Sequence, residues 1–124
     1  MRRNLAVIAT AVALAGCASA GGYPKTLPME ADNTIALATQ AIADAQAAGA
    51  DSLANDMLIN SKTHLDEAQK AQISRKPDQA TLHAREALAD ARLARVTAQR
   101  VTAEHNQAAA QSALQALPPN GGAR

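Results

Sequence analysis

At 124 residues the chain has room for one domain and for no second independent core. Hydrophobic residues are 48% of the composition and aromatics 1%, so the apolar content is mostly alanine and each buried side chain removes little area from water. A formal net charge of +1 argues against nucleic acid or an acidic surface as partner. Alanine methyls must offset roughly 1 to 2 kcal/mol of backbone entropy per residue, which makes such a domain marginal alone. Alanine's helix propensity helps, and long helices stabilised further by a partner or by self-association are expected.

Residues 1–16 have the pattern of an export leader. Arg2 and Arg3 form a basic start, and residues 5–15 are an apolar run interrupted only by Thr10. That run is too short to span a hydrocarbon core, which takes about 20 residues, so it reads as a signal segment and not as a permanent anchor. It ends in Leu14-Ala15-Gly16-Cys17, which resembles the lipobox of bacterial lipoproteins. The resemblance implies cleavage between Gly16 and Cys17, a thioether-linked diacylglycerol on the Cys17 sulfur, and acylation of the new amino terminus. Each buried methylene contributes about 0.8 kcal/mol and one chain holds only weakly, so two or three chains are what make the attachment to membrane lipid durable. The competing reading is an ordinary secretory signal cleaved after Ala18-Ser19-Ala20, which leaves Cys17 unused. With one cysteine, no internal disulfide is available. Ala18 stands where enteric-type sorting uses aspartate to retain lipoproteins at the inner membrane. In a two-membrane bacterium, the expected location is therefore the outer membrane, facing the periplasm.

Residues 17–27 form the lipidated start and a tether, of which the last ten residues reach at most about 33 to 36 Å. The helical domain is expected over residues 28–117. Pro28 suits the first turn of a first helix, with Glu30 and Asp32 near its positive end. Ile35, Ala38, Ile42 and Ala45 form one stripe, and Gly49 marks the stop. Asp51 or Ser52 is the expected cap of a second helix, whose stripe is Ala54, Leu58, Ser61, Leu65 and Ala68, with Asp66 placed to meet Lys70. Arg75 and Lys76 suit its end, and Pro77 closes it and opens a third.

The third helix runs to Leu117, before Pro118-Pro119. Ala80, Ala84, Ala87, Ala91, Ala94 and Ala98 alternate by four and three, continuing to Val101. This alanine seam lets another helix approach to the short end of the usual range of about 8 to 10 Å, and its period predicts a left-handed supercoil. The second helix is too short to cover it all, which leaves the distal part, with Val101 and the Ala108-Ala109-Ala110 run, to the first helix, to a partner or to solvent, and the stripe from Ala80 to Val101 is the expected contact surface for a partner. Residues 118–124 are the expected disordered tail.

The spacing of Ala38, Ile42, Ala45 and Gly49-Ala50, then Leu58, Leu65 and Ala68, then Ala80, Ala84, Ala87 and Ala91-Arg92-Leu93-Ala94 resembles the domain-of-unknown-function 4398 family of bacterial envelope proteins. The resemblance implies a short helical lipoprotein and carries over no catalytic residue, because the family has no established activity. The expected fold is all-α: an elongated antiparallel alanine-rich three-helix bundle, or a long helical hairpin with a short first helix.

No constellation in the sequence specifies a reaction, and no enzyme, cofactor or metal is expected. His64, His83 and His105 lie far apart without zinc-site spacing and read as surface residues. Asp66-Glu67 and Glu86 with Asp90 read as solvated faces. Arg85, Arg92, Arg95 and Arg100 are interleaved with Glu86, Asp90 and Glu104 and lack aromatic neighbours, which argues against nucleic acid. The expected role is structural or adaptor, through packing against another helical protein or a second copy. The alternative is a peptidoglycan-associated spacer resembling the small murein lipoprotein. That protein's covalent attachment uses a C-terminal lysine, whereas this sequence ends in Arg124, which argues against covalent linkage and leaves non-covalent contact open.

Overall fold

Helices α1 (Pro28–Ala47), α2 (Ala50–Leu53), α3 (Asn55–Ile73) and α4 (Pro77–Gln115) follow in chain order. The structure, a computed structural model, describes residues 27–118. The leader, the Leu14-Ala15-Gly16-Cys17 motif, the tether up to Thr26 and the tail from Pro119 lie outside the described residues. Among the described residues there is no strand, and the fold is all-α as expected.

Pro28 opens α1 where its missing N–H leaves no partner unmet, and the Leu27 carbonyl accepts the N–H groups of Glu30 and Ala31 at 2.9 and 3.4 Å. Gly49 ends α1 with φ of +83°, a conformation that a Cβ disfavours, and its N–H donates to the Gln46 carbonyl at 2.9 Å. The expected cap on the next helix is not formed. Asp51 and Ser52 lie inside the four-residue α2, and neither α2 nor α3 has a side-chain cap. Gly49 takes the capping role with its own carbonyl, which accepts the N–H groups of Ser52 and Leu53 at 3.2 and 3.1 Å. Ala54, at φ −150° and ψ 40°, then breaks the helix, so the expected second helix is divided into α2 and α3.

At the end of α3 the Lys76 N–H reaches back to the Ala71 carbonyl and the Arg75 N–H to the Gln72 carbonyl, both at 2.9 Å. This pair of bonds is the Schellman ending, which puts Arg75 in the left-handed region at φ 57°. Pro77 starts α4 immediately afterwards.

Ala31 packs with Ala71 and Ala80 at one end of the molecule, while Ile42 and Ala45 share a cluster with Leu58, Ala94 and Ala98 further along. So α1 and α4 run parallel, and α3 is antiparallel to both. At 20 residues against 19 in α3, α1 is not short, and the molecule is a three-helix bundle and not a hairpin with a minor first helix. In α1 the buried stripe is Ala31, Thr34, Ala38, Ile42 and Ala45, with Ile35 only half-buried. In α3 it is Leu58, Ser61, Ala68 and Ala71, with Leu65 half-buried.

The alanine seam of α4 is filled from inside. Ala80, Ala84, Ala87, Ala91, Ala94 and Ala98 are all fully buried, and Val101 is half-buried. With α1 on one flank and α3 on the other, these residues are the core of the bundle and do not present a surface to a second protein in this state. The expectation that the seam is the partner surface is corrected on that ground. Of the larger aliphatic side chains Leu58 and Ile42 join this core, whereas Leu37, Ile59, Leu82, Leu93 and Val96 are each more than half exposed. Every residue from Thr102 to Pro118 is exposed, so roughly the last 20 Å of α4 stands clear of the bundle.

Candidate functional site

The turn at Arg75 folds α3 back along α4, so residues equally distant from it in sequence come opposite each other. His64 and Glu86 stand eleven residues to either side, and Glu67 and His83 stand eight. Both helices thus carry a His-x-x-Glu pair, and the i,i+3 spacing puts each pair on one face. The two pairs meet. His64 Nδ1 lies 3.2 Å from Glu67 Oε2 and 3.5 Å from Glu86 Oε2. His83 Nδ1 lies 3.0 Å from Glu86 Oε2 and 3.4 Å from Glu67 Oε2. The two rings are stacked, 6.3 Å between centroids and 9° from parallel. On its far side His64 Nε2 is 3.7 Å from Asp90 Oδ2.

Small residues make this approach possible. Ala68, Ala84 and Ala87 are fully buried between the helices, which lets side chains as short as histidine and glutamate reach across. Beside them the buried Ser61 hydroxyl donates to the Ala87 carbonyl at 2.7 Å, fixing the register of α3 on α4. The cluster itself is half-exposed, with side-chain exposures between 31% and 45%, so it is open to an ion from solvent. Next to it Lys70 donates to Asp66 at 2.5 Å, as the sequence spacing led one to expect, and that hydrogen bond and charge raise the Lys70 ammonium above its ordinary value.

Reading the histidines by spacing along the chain missed this juxtaposition. His105, on the bare part of α4, takes no part in it. The signal that finds the cluster is the mirror symmetry of the two His-x-x-Glu pairs about the turn, which becomes visible only once the turn is placed at Arg75.

A second feature lies on the outer side of α4. Leu82, Ala89, Leu93, Val96, Ala103, Ala110 and Leu114 recur on one line with the four-and-three alternation of the inner seam, with Glu86, Arg100 and Gln107 at the intervening positions. Leu82, Leu93, Val96 and Leu114 on this line are between 52% and 68% exposed. No helix of the described residues is long and apolar enough to cross a membrane.

Fold and surface together define a small alanine-cored helical bundle with one protruding helix. A family model described as Domain of unknown function (DUF4398) matches residues 33–110, more than half of the chain, and the chain belongs to that family. No curated protein and no solved structure matches it.

Proposed function

We propose that this chain is an envelope lipoprotein, anchored through Cys17 to the outer membrane and facing the periplasm, with a structural or adaptor role carried out by helix packing. The observation that carries the packing role is the outer line of α4. A protein that buries alanine while leaving Leu82, Leu93, Val96 and Leu114 largely in water holds back its most favourable apolar area. Fully burying such side chains is worth about 1.5 to 3 kcal/mol each, so covering their exposed halves offers on the order of 1 kcal/mol per residue before the cost of association. The heptad period of the line suits another helix, from a different envelope protein or from a second copy, laid along α4. Support for the anchor is the Leu14-Ala15-Gly16-Cys17 motif, which lies outside the described residues.

Two measurements test the reading. A photoreactive residue at Leu93 or Leu114, crosslinked in living cells, is expected to give a discrete adduct to a protein or to a second copy; unlinked monomer from both positions would sink the packing role. Replacing Cys17 with serine is expected to move the protein out of the membrane fraction, and unchanged partitioning would overturn the anchor.

A further inference from the structure

We propose that His64 of α3 with His83 and Glu86 of α4 form a binding site for one divalent first-row transition-metal ion, of which zinc is the natural probe, with Glu67 beside the two imidazoles as a supporting carboxylate. A zinc ion takes imidazole nitrogen and carboxylate oxygen at about 2.0 to 2.2 Å, which in a tetrahedral site spaces neighbouring ligand atoms by about 3.3 to 3.5 Å. His64, His83 and Glu86 each hold a ligand atom within 4.8 Å of the others, and Glu86 Oε2 lies 3.0 Å from His83 Nδ1 and 3.5 Å from His64 Nδ1, close to that spacing. Two imidazoles with one carboxylate, the fourth position being left to water, is a donor set that favours zinc and its neighbours over calcium or magnesium, which prefer oxygen alone.

Charge and support point the same way. Glu67, Glu86 and Asp90 place three carboxylates around the two rings, a surplus of negative charge that a divalent cation offsets. With Nδ1 given to the metal, the Nε2 of His64 faces Asp90, in the position of the second carboxylate that orients a metal-bound imidazole. The site draws His64 from α3 and the His83 and Glu86 pair from α4 and is held in register by Ser61 on Ala87, so loading it ties α3 to α4 at mid-bundle. The inference stands on the cluster alone and does not depend on the packing role.

The test is calorimetric titration of the full chain in mild detergent with zinc chloride, with thermal melting by circular dichroism run alongside. Expected are one saturable zinc per chain and a higher melting temperature with zinc present. Both effects should be lost in His64→Ala and in His83→Ala, and kept in His105→Ala. The Asp90→Asn variant should bind about 10- to 100-fold more weakly. Metal-free circular dichroism identifies any variant that fails to fold. For such a variant, imidazole nitrogen shifts in the parent protein, which should move at Nδ1 of His64 and His83 on adding zinc, decide the matter. The absence of saturable binding by the parent, or binding that survives the double substitution of His64 and His83, overturns the proposal.

Discussion

Arg75 sits in a backbone conformation that costs an L-residue roughly 1 to 2 kcal/mol, and it does so because both Schellman bonds at the end of α3 require it. Glycine meets the same geometry without that penalty, less the entropy it loses on folding. Arg75→Gly is therefore expected to stabilise the bundle by about 0.5 to 1 kcal/mol in chemical denaturation. The reverse change at the other turn, Gly49→Ala, is expected to destabilise it by about 1 kcal/mol. Its new Cβ meets only Leu53 Cδ1, at an ordinary 3.8 Å, so the cost is conformational and not steric. Gly49 and Pro77 were readable as punctuation because those residue types advertise their backbone needs. Arg75 was not, since nothing in an arginine announces a positive φ. The pairing of His64 with His83 inherits that blindness, because it depends on where the hairpin folds and on nothing local to either histidine.

Among the elements, α4 has two faces of opposite character. Ala91 is fully buried in the core cluster shared by α1, α3 and α4, and enlarging it to leucine is expected to cost about 1 to 3 kcal/mol through overpacking. Two positions on, Leu93 is 52% exposed, and Leu93→Ala should change the melting temperature of the isolated protein little while weakening any adduct formed along the outer line. Beyond Val101 the helix is exposed at every position and packs on nothing among the described residues, so amides of residues 103–115 are expected to exchange with deuterium well before those of residues 84–98. Equal protection of the two stretches would mean that the far end is covered. The period of the inner seam was legible in sequence, and so was its burial against some helix. Which helix covers it was not legible, because a four-and-three repeat reads the same whether the partner belongs to the same chain or to another. The division of α2 from α3 at Ala54 was equally hidden, since alanine is the last residue expected to interrupt a helix.

For the molecule as a whole, the parallel course of α1 and α4 fixes where its ends lie. The described chain enters beside the Arg75 turn and leaves at the tip of α4, about 58 Å away along that helix. If the entry point is tied to a surface and the tip is held by something else, tension between the two pulls α1 one way and α4 the other along their common axis. The contacts of Ile42 and Ala45 with Ala91, Ala94 and Ala98 of the α4 seam are then strained in shear, all at once, and cannot be peeled apart pair by pair. A fold with a thin alanine core is in this way arranged to resist stretching end to end.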